Sequence, residues 1–148
     1  MTRIRHPNQW ALGALVLTTV FIAATAPSRA ADPGLQQAIA RGSEHFLHNK
    51  FGGRGRVCET CHVGGGTKPG HLPDGEPIPS LSNAGAIFPR ISEDDGKLIT
   101  LVDQVRICIG GALNGIAPAY GSDELNSLVA YVTSLSQGKA IDMGADPK

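Results

Sequence analysis

The sequence predicts an all-α fold of three main helices with long connecting loops. Three observations predict it. Apolar residues recur at helical spacing behind capping residues in three places. No segment alternates apolar with polar residues as a half-buried strand would. The longest connection, residues 51–98, carries Gly64-Gly65-Gly66 and five prolines (Pro69, Pro73, Pro77, Pro79 and Pro89), a composition that favours a stiff, irregular path.

The chain opens on a different kind of segment. Residues 1–9 hold Arg3 and Arg5 and no acid, residues 10–26 are an apolar run of 17, and Ser28-Arg29-Ala30 offers the small residues a signal peptidase reads. Residues 1–30 are therefore expected to be a signal peptide, with a periplasmic mature chain starting at Ala31. An uncleaved membrane anchor is the alternative. The remaining 118 residues suffice for one domain, residues 31–148. Loss of Arg3, Arg5 and Arg29 leaves 10 basic residues against 13 acidic ones. The mature polypeptide then carries a net charge of about −3, which argues against nucleic acid as a partner. Its aromatics are Phe46, Phe51, Phe88, Tyr120 and Tyr131 alone. So thin an apolar inventory predicts a core completed by something other than protein, and a poorly folded chain without it.

Asp32-Pro33 reads as N-cap and first residue of the first helix. Leu35, Ile39, Phe46 and Leu47 form its stripe, with Gly42 in the middle, where another helix is expected to approach. The second helix starts at Thr100 with Asp103 as capping-box partner, and Leu101, Val105, Cys108 and Ala112 share one face. Gly110-Gly111 predicts fraying near its end. The third follows Ser122-Asp123-Glu124, buries Leu125, Leu128, Val129, Val132 and Leu135, and stops before Gly138. A polar tail follows the core, which spans about residues 32–138.

The chemistry sits in the long connection. Residues 58–62 read Cys-Glu-Thr-Cys-His, the attachment signal of a c-type haem. Two thiols at this spacing add to the two vinyl groups of one porphyrin, and the adjacent His62 becomes an axial ligand of the iron. A zinc site would need a second ligand pair, and only Cys108 is left. A thioredoxin-like dithiol would need a βαβ setting that the flanking sequence lacks.

With this motif, the helix before it and the amphipathic helix at the end, residues 32–138 resemble class I cytochromes c. The resemblance implies a cytochrome c-like fold around one covalent haem c. It also implies that the first and last helices cross near Gly42 and Tyr131. Pro79-Ser80-Leu81 looks like the family's Pro-x-Leu element, whose proline carbonyl accepts the proton of the ligand histidine and tunes it. The departure comes at the sixth ligand. The family places a methionine shortly before the last helix, where this chain has Ile116-Ala117-Pro118-Ala119-Tyr120-Gly121. Met143 lies beyond the final helix. His45, His48, His71, Cys108 and an open site remain candidates.

Cys108 is the odd cysteine, on the apolar face of the second helix, 46 residues after His62. Gly53-x-Gly55 before the haem motif, the triple glycine with Thr67 after it, Leu101 seven residues before Cys108, and Leu113-Asn114-Gly115 resemble a narrower group. These are the cysteine-ligated cytochromes of sulfur oxidation, namely thiosulfate dehydrogenases and SoxA-type subunits. The resemblance implies that Cys108 ligates the iron opposite His62. A thiolate ligand stabilises ferric iron and lowers the potential. The resemblance also makes a sulfur oxyanion such as thiosulfate a candidate partner, with Arg90 and Arg106 as contacts. The thiosulfate dehydrogenases carry an arginine just after the cysteine; here Ile109-Gly110-Gly111-Ala112-Leu113 has none, and no second haem motif occurs.

Lys50, Arg54, Arg56 and Lys68 bracket the motif, a basic rim suited to an acidic redox partner protein or an anion. Two functions are therefore expected. One is an electron carrier in sulfur-compound oxidation. The other is a thiosulfate dehydrogenase-like enzyme, or its haem subunit, that forms tetrathionate. The missing arginine and second motif favour the carrier.

Overall fold

A computed structural model describes residues 32–148, so the expected signal peptide lies outside the described residues. Helix α1 spans Pro33–His48, and the Asp32 carboxylate caps it by accepting from Gly34 and Leu35 N–H at 2.8 and 3.1 Å. A single turn, α2, follows at Cys58–Cys61, and a second, α3, at Ala84–Ile87. Helix α4 spans Leu101–Gly110 and α5 spans Asp123–Ser134. The capping predictions hold: Thr100 and Asp103 form a reciprocal box, and the Ser122 hydroxyl accepts from Leu125 N–H at 3.3 Å.

The core lies where α1 crosses α5. Phe46, Leu128 and Val132 are buried there with Phe51, Ala84, Ile109 and Leu113. Gly42 sets the crossing distance: a Cβ built on it would stand 1.9 Å from the Ser127 carbonyl oxygen and 2.8 Å from Tyr131 Cβ. The expected meeting of Gly42 with Tyr131 is thus observed. Leu35, predicted in the same stripe, is half exposed, because it lies a full turn and more before the crossing.

The all-α expectation needs a correction. Two antiparallel ladders interrupt the long connection, β1 (Gly70–His71) with β2 (Pro77–Ile78) and β3 (Arg90–Ile91) with β4 (Leu98–Ile99). Each strand has two residues, too few for an apolar–polar alternation to register in sequence. The polar tail is also more ordered than its composition suggests. Asp142 and Gly144 N–H donate to the Ala86 and Ile87 carbonyls, and the Ser80 hydroxyl donates to the Lys148 carbonyl at 2.7 Å. No helix among the described residues is long and apolar enough to cross a membrane.

The α4 cap gives a pH prediction. Hydrogen bonds from the Thr100 hydroxyl and backbone, with a smaller contribution from Tyr120, lower the Asp103 carboxyl from 3.8 to about 2. A depressed carboxylate stabilises the fold above its unfolded pKa, and that stability is lost as pH falls from 3.8 towards about 2. The group is exposed, so the effect is modest, about 1 kcal/mol or less. Urea midpoints at pH 5 and pH 2.5 should differ less in Asp103→Asn than in the wild type. An unchanged acid dependence in the variant would refute this assignment.

Candidate haem site

The α2 turn is built for display. The Thr60 hydroxyl accepts from Val57 N–H at 3.0 Å, and His62 N–H closes the turn on the Cys58 carbonyl at 2.9 Å. Glu59, inside the motif, ties the next loop to it: its two carboxylate oxygens accept from Gly64 and Gly65 N–H, each at 2.8 Å. Tyr131 of α5 donates to the Gly65 carbonyl at 2.9 Å. The motif is therefore anchored to the α1–α5 crossing.

A second anchor joins the segment before the motif to the end of α4. Ile116 N–H donates to the Phe51 carbonyl at 2.7 Å, and a Cβ on Gly53 would stand 2.3 Å from the Leu113 carbonyl oxygen. Gly53 and Leu113-Asn114-Gly115, two separate pieces of the sequence pattern, thus pack backbone to backbone.

Between these anchors opens a cavity of about 310 Å³. Cys58 and His62 line one part of it, Pro79 and Leu81 another, and Gln104, Val105, Cys108 and Ile109 of α4 a third. Among the described residues on its wall, Arg90 is the one permanent cation and no carboxylate is present. Cys61 is buried at the end of α2, 5% exposed, rather than on the wall. Cys58, three residues earlier in the same turn, is the motif thiol that reaches the wall.

Burial pushes the Cys58 thiol up to about 12, and charge on Cys108 adds to that shift. Burial also raises Cys108, with charge on Cys61 contributing. Burial lowers His62, so its ring is kept neutral, the form that ligates a metal.

The expected hydrogen bond from His62 to the Pro79 carbonyl is not made. His62 Nδ1 is buried without a partner, and the ring packs instead beside Phe46, centroids 6.4 Å apart. Leu81 packs on the core, and its N–H donates to the Gly66 carbonyl at 2.7 Å.

The other ligand candidates lie elsewhere. His45 contacts Asn49, His48 faces Glu44 at 3.6 Å on the surface, and His71 and Met143 are exposed. Of the two arginines, Arg90 reaches the cavity, with its Nε buried and unpartnered. Arg106 is committed to the Pro118 carbonyl and to the Tyr120 ring, 4.1 Å from its centroid, in a separate groove. Lys50, Arg54 and Lys68 are exposed, and Arg56 is half-buried. Glu59 and Gln104 carry no signal of their own in the sequence, since both types are common on helix surfaces.

These residues fit a haem. The wall is mainly apolar, its volume is at the lower end of the roughly 300–1,000 Å³ seen for small-molecule sites, and His62, Cys58 and Cys108, residue types that attach or ligate a c-type haem, share it. Arg90 would supply the cation that anionic porphyrin carboxylates call for.

Paired terminal helices crossing at a glycine, beside a cavity edged by a Cys-x-x-Cys-His turn, define a c-type cytochrome domain. The chain belongs to the SoxA/TsdA cytochrome c domain family, whose family model matches residues 41–141. It is 32% identical to the thiosulfate dehydrogenase of Allochromatium vinosum over 124 residues, 79% of this chain and 45% of that protein. It is 25% identical to the L-cysteine S-thiosulfotransferase subunit SoxA of Paracoccus pantotrophus over 96 residues, 65% of this chain and 29% of that one.

Two solved structures share the fold: thiosulfate dehydrogenase TsdBA from Marichromatium purpuratum and SoxXA from P. pantotrophus. The TM-score is 0.59 for each, at 20% and 22% identity. They match 76% and 77% of this chain, and 26% and 38% of the neighbours' chains. The chain thus spans less than half the length of these relatives.

Proposed function

We propose that this chain is an exported cytochrome that carries electrons through one covalent haem in sulfur-compound oxidation. Cys58 and Cys61 form the thioethers, and His62 and Cys108 are the axial ligands. The observation that carries this reading is the shared cavity: Cys108 stands on a wall with Cys58 and His62, and every competing ligand lies outside it. When bound, the haem supplies a one-electron Fe(III)/Fe(II) couple. The chain's own residues do the rest. Phe46, Ile87, Phe88, Leu128 and Val132 line the cavity and exclude water. Arg90 anchors the porphyrin carboxylates, while the exposed basic rim of Lys50, Arg54 and Lys68 steers an acidic redox protein. Export follows from the signal-like residues 1–30 and suits the compartment in which such haems are attached.

The second reading, a thiosulfate dehydrogenase-like enzyme or haem subunit, draws support from the identity to the A. vinosum enzyme over most of this chain. Residues 109–113 lack the arginine that the resemblance would require, which favours the carrier. One assay separates the two. The purified holoprotein should titrate reversibly by one electron per chain, yet reduce ferricyanide with thiosulfate no faster than the uncatalysed mixture. Thiosulfate-dependent turnover that Cys108→Ala abolishes would establish the enzyme instead.

A further inference from the structure

Four polar side chains interrupt the apolar cavity wall besides the histidine and the cysteines: Ser80, Asn83, Arg90 and Gln104. Two of them have structural work. Ser80 and Asn83 hold the C-terminal tail through the Lys148 and Asp146 carbonyls. Arg90 stacks over Phe88 and faces Glu93 at 3.8 Å. Gln104 differs. Its carboxamide Nε2 donates to Cys108 Sγ at 3.6 Å, and among the described residues this is the hydrogen bond its side chain makes. The two residues lie four apart on α4, so one helical turn stacks the donor over the sulfur. A long polar side chain is costly on an apolar wall unless its amide is used.

We propose that Gln104 is a positioning residue for the sulfur ligand: its amide donates to Cys108 Sγ, fixes that side chain towards the cavity, and tunes the haem potential. The inference rests on the proposed ligation of iron by Cys108. A donor aimed at a metal-bound thiolate draws electron density from the sulfur and weakens its donation to ferric iron. The potential is then higher than that of the same ligand pair without the donor. Gln104 thus offsets part of the lowering that a thiolate imposes.

The test uses the haem-loaded full chain as wild type, Gln104→Met, Gln104→Leu, Gln104→Arg and Cys108→Ser. Gln104→Met keeps length and volume and removes the donor; Gln104→Leu repeats the loss with a different shape. Both should retain the thiolate-ligated low-spin spectrum. Their midpoint potential should fall below the wild-type value, and the Fe–S stretching frequency should rise. Gln104→Arg, which restores a donor, should bring the potential back to the wild-type value or above. Potentials and frequencies unchanged in Gln104→Met and Gln104→Leu, while Cys108→Ser loses the thiolate spectrum, would overturn the role of Gln104 alone. A Cys108→Ser spectrum identical to wild type would overturn both this inference and the ligation beneath it.

Discussion

The double variant Cys58→Ala/Cys61→Ala should be recovered without haem and largely unfolded at 25 °C. The reason is that the cavity and the core share their walls. Phe46, Ile109, Leu128 and Val132 belong to the buried cluster and also line the cavity. With no haem held there, the side of each that lines the cavity loses its packing partner. A closed cavity of about 310 Å³, at about 24 cal/mol per Å³, would cost about 7 kcal/mol, and because this one opens to solvent that figure is an upper bound. That is comparable to the whole stability of a small domain, about 5–15 kcal/mol. Partial collapse will recover some of this, but Gly53 and Gly115 already pack against neighbouring backbone and leave the anchors little room to close in. Circular dichroism in the far and near ultraviolet, with a haem stain on the same preparation, checks the outcome. A haem-free variant with native near-ultraviolet signal and a cooperative melt would contradict it.

The second large effect belongs to Gly42. Two effects compete in Gly42→Ala. Helix propensity favours alanine by about 1 kcal/mol. Against it, the new methyl would stand 1.9 Å from the Ser127 carbonyl oxygen, a contact relieved only by moving α1 away from α5. Overpacking of this kind typically costs about 1–3 kcal/mol, and a backbone obstacle belongs at or above the top of that range. Gly42→Ala should therefore destabilise the holoprotein by about 2 kcal/mol net, and Gly42→Val by more. Urea midpoints at unchanged m-value measure this directly. A midpoint at or above wild type in Gly42→Ala would refute the close crossing.

What the sequence disclosed and what it hid follow one physical division. Helix caps are contacts between residues two to four apart, so Asp32, Thr100 with Asp103, and Ser122 were legible before any coordinates. The attachment motif was legible for the same reason: its chemistry is written in five consecutive residues. Gly42 could be read because a mid-helix glycine needs a reason to be there, and a neighbouring helix is the usual one.

Contacts across the fold were legible only in part. The short ladders near Gly70 and Arg90 are set by the turns that close them. Leu35 looked buried by periodicity and is not, because the crossing with α5 ends before it. Arg106 looked free to meet an anion, yet Tyr120 and the Pro118 carbonyl occupy it. Pro79 shares the cavity wall with His62, but the expected bond between them is not made and the His62 Nδ1 has no partner. Glu59 and Gln104 gave no signal, since a glutamate and a glutamine on helices are ordinary until their partners are seen.

The central claim is the sixth ligand, and low-temperature electron paramagnetic resonance of the ferric holoprotein tests it most directly. The wild type should give one low-spin signal with the narrow g-spread of a histidine–thiolate pair. Cys108→Ser should lose that signal while keeping its haem, because Cys58, Cys61 and His62 are untouched. Identical spectra from the two proteins, with haem fully incorporated in both, would contradict the claim.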